Sequence, residues 1–95
     1  MNYAKARELA GTWVRLVCGE GVDVIDDRTM KRPYGWVFSY NNRDGSLAEN
    51  APIIIDRVNG ELRVTGTARP IAVYLAEYES TLPVAKMQMS LPIEP

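Results

Sequence analysis

The first twenty residues have the apolar spacing of an amphipathic helix. The apolar positions recur at intervals of three and four residues: Leu9, Ala10, Trp13, Leu16 and Val17. Such spacing forms one continuous stripe on a helix. We therefore predict a helix over about residues 3–18, with Asn2 as its N-cap and Gly19 ending it in a left-handed conformation.

The next segments alternate in the manner of strands. Residues 21–25 predict a short strand, and the charged stretch that follows, up to Arg32, predicts a loop. In residues 34–40 every second side chain is aromatic: Tyr34, Trp36, Phe38 and Tyr40. Alternation places these four rings on one face of a strand. A domain this small needs such rings in its core, so we expect them to meet the helix and not to form an exposed base-stacking platform.

The following residues predict a hairpin and a second helix. Turn-forming residues occupy positions 41–50, and a hairpin over residues 53–65 turns at Asn59-Gly60. Pro70 suits a first helical position. The apolar residues after it recur at helical spacing: Ile71, Tyr74, Leu75 and Tyr78. We predict a short helix over about 70–79.

The C-terminal residues alternate again. Met87, Met89, Leu91 and Ile93 are separated by polar residues from Lys86 onwards, apart from Pro92. This period favours an edge strand or an arm packed over the core, and an arm exchanged between subunits is a third interpretation. We predict one α+β domain over residues 1–80, with residues 81–95 as an extended segment packed on or beside it. Its architecture is two-layer: the N-terminal helix on a four-stranded, mainly antiparallel sheet, with the short second helix.

Composition narrows the class of partner. The 95 residues include 11 Lys and Arg against 12 Asp and Glu, and the two signs are interspersed. Neither nucleic acid nor a membrane surface is an expected partner. The sequence has a single cysteine and no long apolar run near its start. We expect a cytoplasmic protein, either a monomer or a weak homodimer.

The chain lacks a residue type that catalytic sites commonly use. The chain has no histidine, which removes imidazole-based nucleophile activation and the common zinc motifs. Cys18 lies beside apolar helix positions, so a buried structural thiol is predicted. Asp23, Asp26 and Asp27 lack the spacing of a calcium loop and are interpreted as a solvated charged loop or a protein-contacting patch. We expect no enzyme activity, no cofactor and no metal.

The order of elements over residues 3–80 resembles the immunity protein 35 family, also called YrhB-like. The resemblance is most specific between Asn50 and Glu79, in these motifs: Asn50-Ala51-Pro52, Asn59-Gly60-Glu61, Gly66-Thr67-Ala68-Arg69-Pro70-Ile71 and Tyr74-Leu75-Ala76-Glu77-Tyr78-Glu79. It implies a small cytoplasmic α+β protein that neutralises a bacterial toxin by direct binding. Some relatives are described as chaperone-like, so a small binder of unfolded clients is the alternative function.

Charged loops are the predicted contact surface for the toxin. Charged side chains on a rigid scaffold give fast and selective association with an oppositely charged partner. The residues fall into two groups: Asp23, Asp26 and Asp27 in the first, and Asn42, Arg43, Asp44 and Glu49 in the second.

Overall fold

A computed structural model describes residues 1–42 and 51–87 of the chain. One helix is followed by four consecutive strands and then by two more helices: α1 (Tyr3–Cys18), β1 (Val22–Arg32), β2 (Gly35–Asn42), β3 (Ile53–Asp56), β4 (Leu62–Val64), α2 (Ile71–Ser80) and α3 (Val84–Met87). The four strands form one sheet, in the order β1-β2-β3-β4. Every neighbouring pair is antiparallel. The α+β class, the four strands and both main helices are confirmed.

Strand β1 is longer than predicted, because the charged stretch is part of it. Ile25 pairs with Ser39, and the ladder resumes where Met30 pairs with Val37. Residues 26–29 of β1 therefore lie opposite Phe38 alone, which is an irregular bulge of four residues against one. The prediction of a loop here was wrong. The long aromatic strand β2 supplies ladder partners on both sides of the bulge, and an edge strand keeps its charged side chains in water.

The main core lies between α1 and one face of the sheet. Helix α1 contributes small residues that are fully buried: Ala6, Ala10 and Val14. The sheet contributes the larger side chains: Val22, Val24, Trp36, Phe38, Tyr40, Ile53 and Ile55. Tyr3 packs edge-on against Trp36, with the ring centroids 6.1 Å apart. Three of the four aromatic residues of the predicted row, Trp36, Phe38 and Tyr40, thus face the helix as expected.

The buried face of α1 differs from the predicted stripe. Leu16 is 81% exposed and Val17 is 62% exposed, whereas Leu9 and Trp13 pack at the margin of the core. Small side chains on the buried face let the helix backbone approach a sheet that already carries bulky rings. The predicted limits are confirmed: the Asn2 side-chain oxygen accepts the Lys5 N–H at 2.9 Å, and Gly19 ends the helix at a φ of 102°.

A second apolar cluster covers the opposite face of the sheet beneath α2. It consists of Tyr34, Val37, Ile54 and Leu75. The assignment of Tyr34 to the face below α1 was wrong, because this residue belongs to the two-residue turn before Gly35 and not to the strand. Helix α2 is confirmed, although Pro70 precedes it as the N-cap instead of occupying its first turn.

The residues after α2 also depart from expectation. Val84–Met87 forms a single helical turn, so the alternation from Lys86 does not begin as a strand. Met87 packs against the cluster beneath α2. The rest of the alternating segment, residues 88–95, lies outside the described residues. None of the helices in the described parts is long and apolar enough to cross a membrane.

Candidate functional site

The acidic residues predicted as a contact group all lie on the edge strand β1 and are exposed. Asp23 pairs in register with Asn41, between Val22 and Val24, which are buried under α1. Because side chains alternate along a strand, Asp23 points to the other face of the sheet. The acidic residues therefore do not converge into one patch on one face.

Asp26 is held against helix α1. The Arg7 Nε donates to Asp26 Oδ1 at 2.6 Å, and the Tyr3 hydroxyl donates to the same oxygen at 3.4 Å. The Asp26 side chain nevertheless keeps 60% of its surface exposed. Exposed ion pairs contribute less than about 1 kcal/mol each, so the main effect of this pair is to orient the bulge relative to the helix.

Asp27 lies inside the bulge beside Arg28, and both residues are exposed. Asp27 has no ion-pair partner among residues 1–42 and 51–87. A bulge turns side chains away from the regular pleat. Asp27 is therefore the carboxylate of this strand that is most available to another molecule.

The second predicted group is only partly described. Asn42 is the last residue of β2, half-buried, and pairs with Val22 of β1. It is thus a strand residue and lies close to Asp23. Arg43, Asp44 and Glu49 lie outside the described residues.

Tyr40 holds Ala51, the first described residue after β2, against that strand. Its hydroxyl oxygen accepts the backbone N–H of Ala51 at 3.0 Å. Burial raises the pKa of Tyr40, so its hydroxyl stays protonated at neutral pH. The bond fixes Ala51 beside the end of β2, so Ala51 lies at the same end of the sheet as Asp23 and Asn42.

Cys18 does not have the environment that the sequence predicted. The thiol is free and exposed, because the whole last turn of α1 is exposed to solvent. The prediction of a buried structural cysteine was wrong. In the described parts of the chain, no three acidic or cysteine side chains come together in a group that could hold a metal ion.

Tyr34 is fully buried under α2 and donates a hydrogen bond to Glu79 Oε2 at 3.4 Å. Burial, followed by the nearby Glu79 carboxylate, raises the pKa of Tyr34 to about 12. The phenol therefore stays neutral at physiological pH and acts as a donor that ties α2 to the β1–β2 turn. This arrangement stabilises the packing of α2, since the rings of Tyr34 and Tyr78 also contact each other, with their centroids 5.2 Å apart.

A groove between α2 and β4 is a feature that sequence reasoning missed. It has a volume of about 250 Å³ and is lined by residues of β3, β4 and one side of α2: Ile54, Arg63, Val64, Thr65, Tyr74, Glu77, Tyr78 and Thr81. The Arg63 guanidinium lies over the Tyr78 ring, and that of Arg69 over the Tyr74 ring. In the sequence these two tyrosines were noted only as apolar positions of the second helix, and the stacking of a guanidinium on each ring is seen only in the folded structure.

Part of this chain is similar in sequence to a known bacterial protein. No protein-family model matches the chain, and no solved structure matches it. The uncharacterized protein YrhB of Escherichia coli (strain K12) is 42% identical over 53 residues, which cover 47% of this chain and 56% of YrhB. The chain thus spans little more than half the length of this curated relative, and the similarity concerns a segment and not the whole protein.

Proposed function

We propose that this protein is an immunity protein, which binds a cognate bacterial toxin and neutralises it by direct contact. The observation that carries the proposal is the edge strand β1, which presents exposed carboxylates on a bulge held to α1 by the Arg7–Asp26 pair. The partial similarity to YrhB agrees with the resemblance of the sequence to the YrhB-like immunity proteins.

The physical basis of the proposed contact is electrostatic. Carboxylates on a rigid strand complement a basic surface of the toxin, and such complementarity raises association rates and excludes wrong partners. The proposed contact residues are those of the two predicted groups: Asp23, Asp26, Asp27, Asn42, Arg43, Asp44 and Glu49. Binding at the toxin's catalytic cleft, or at the surface with which it contacts its target, would stop its activity.

The first experiment uses the product of the reading frame adjacent to the gene. Co-expression of this chain is expected to restore growth to cells that produce that toxin, and Asp27→Lys is expected to weaken binding about tenfold, in line with the loss of one interfacial charge pair. Asp27 is substituted instead of Asp26 because a change at Asp26 would also break its ion pair with Arg7. Titration calorimetry with a catalytically inactive toxin variant measures the affinity.

The matched control is Glu8→Lys on the exposed side of α1, which makes the same change of net charge and breaks only the exposed Lys5–Glu8 pair within the helix. Equal affinities of the two variants would show that β1 is not the contact surface. Failure of the wild-type chain to bind the adjacent product, or to restore growth, would overturn the proposed function itself.

A second candidate function, a chaperone-like binder of unfolded proteins, is favoured by one observation. Leu16 and Val17 expose apolar surface side by side at the end of α1, where a client segment could adhere. The apolar C-terminal segment is less suitable for this role at its start, because Met87 packs against the cluster beneath α2.

An aggregation assay separates the two functions. For an immunity protein we expect no suppression of light scattering by heat-unfolded citrate synthase, even with this chain in molar excess. A chaperone would suppress the scattering, and the double variant Leu16→Ser, Val17→Ser would lose that effect while keeping its thermal midpoint, since both side chains are exposed. Suppression that shows this loss would replace the immunity proposal.

A further inference from the structure

The outer edge of β4 carries backbone groups that are not used by the sheet. Asp56 N donates to Glu61 O, and Thr65 N donates to Pro52 O. In an antiparallel ladder these bonds fix which residues turn their N–H and C=O groups toward the neighbour. Leu62 and Val64 therefore direct theirs away from β3, and no described strand pairs with β4 on that side.

The two edges of the sheet differ in how well they are protected. Edge strand β1 contains the irregular bulge at residues 26–29 and several charged side chains, which discourage pairing with another chain. Edge strand β4 has no bulge in its register with β3 and no proline. Its protection is limited to its short length and to Arg63. A free edge beside a helix is the arrangement that lets an extended peptide add to a sheet.

The side chains around β4 determine what such a peptide must look like. Leu62 is half-buried against the core under α1, and Val64, which alternation places on the same face, is 45% exposed. Residues of an added strand opposite these two would extend the apolar surface and should themselves be apolar. The residue between them would lie opposite Arg63, on the face of the groove.

Arg63 gives that central position its charge preference. The side chain of Glu77 is paired with Arg69 at 2.8 Å, so the acidic residue of the groove is already compensated. Arg63 lies over the Tyr78 ring and meets Glu61 only at 3.5 Å, with both members of this pair more than half exposed. A guanidinium has five N–H donors, and this contact uses one of them. A carboxylate is the group that can accept hydrogen bonds from the remaining donors of Arg63.

We infer that β4 and the groove beside α2 bind an extended segment of a partner protein by strand addition, with an apolar–acidic–apolar pattern centred on Arg63. The two apolar residues exchange backbone hydrogen bonds with Leu62 and Val64, and the acidic side chain pairs with the Arg63 guanidinium. This surface is separate from β1, and the inference does not depend on the partner being a toxin.

The test uses short blocked peptides and the full-length protein. The probe is acetyl-Thr-Val-Glu-Val-Thr-amide, and the comparison peptide has lysine in place of glutamate. We expect the glutamate peptide to bind with a Kd on the order of 1 mM and about tenfold more tightly than the lysine peptide. NMR titration should shift the amides of Leu62 and Val64, and their exchange with solvent should slow.

Two further variants isolate the two kinds of contact. Methylating the backbone nitrogens of both valines of the peptide removes donors to β4 and should weaken binding at least tenfold. In the protein, Arg63→Glu should reverse the preference, so that the lysine peptide becomes the tighter ligand. Because the reversed variant still binds a peptide, this result also shows that the protein is folded.

Other outcomes overturn the inference. Absence of saturable shifts at Leu62 and Val64, equal affinity for the two peptides, or indifference to N-methylation would each exclude strand addition of this pattern. Slow exchange of both amides without peptide would mean that the edge is already occupied. If that protection is independent of protein concentration, the chain itself occupies the edge, and if it grows with concentration, a second copy does.

Discussion

Replacing Gly35 with alanine is expected to destabilise the protein by about 3 kcal/mol, a large loss for a domain of this size. Gly35 begins β2 and pairs with Asp56 of β3. A Cβ at this position would overlap the carbonyl oxygen of Ile55. Since the obstacle is backbone in the middle of the sheet, no side-chain rotation relieves it, and β2 and β3 must move apart.

Gly21 provides the matched control for this substitution. A Cβ at Gly21 meets no atom within 4 Å, so Gly21→Ala should change the free energy of unfolding by less than about 1 kcal/mol. Urea unfolding followed by tryptophan fluorescence measures both variants, because Trp36 is fully buried in the core. If Gly35→Ala unfolds at the wild-type urea concentration, the close approach of β2 to β3 is not as described.

Local sequence signals were sufficient for most of the elements. The helical spacing before Cys18, the Asn59-Gly60 turn and the helix after Pro70 all depend on residues close together in the chain, and each was predicted. In these cases local propensity and tertiary packing favour the same structure. Gly60, for example, has a φ of 72°, which the turn requires and glycine adopts without strain.

The errors arose where a distant part of the chain decides the outcome. Residues 26–32 have a polar composition typical of a loop, but residues 30–32 pair with β2, and the edge position leaves the charged side chains of the whole stretch in water. Tyr34 follows the alternation of the strand in sequence, yet the β1–β2 turn ends one residue later than that pattern assumes. Neither pairing partner nor turn position was encoded in the alternation itself.

The candidate sites show the same division. Exposure of Asp23, Asp26 and Asp27 followed from their charge, whereas their distribution over both sides of β1 followed from the register with β2. The groove beside α2 was not foreseen at all, because it exists only where β4 and α2 come together. Arg63 and Tyr78 are fifteen positions apart in sequence, and only the fold stacks one over the other.

The second large effect is expected in helix α1, from the same substitution at two positions. Val14→Ala should lower the free energy of unfolding by about 2 kcal/mol, because Val14 is fully buried and the change removes two methyl groups and leaves a cavity. Val17 is 62% exposed, so Val17→Ala should be neutral or raise stability by a few tenths of a kcal/mol through the higher helix propensity of alanine.

Thermal unfolding followed by circular dichroism compares the two variants directly. For a domain of this length, a loss of about 2 kcal/mol lowers the midpoint by roughly 10 °C, which is far above the error of the method. The apolar stripe in the sequence assigned Val17 to the core, whereas the structure buries Val14 instead. A larger loss for Val17→Ala than for Val14→Ala would therefore mean that α1 is rotated on the sheet, so that Leu16 and Val17 are not available to any partner.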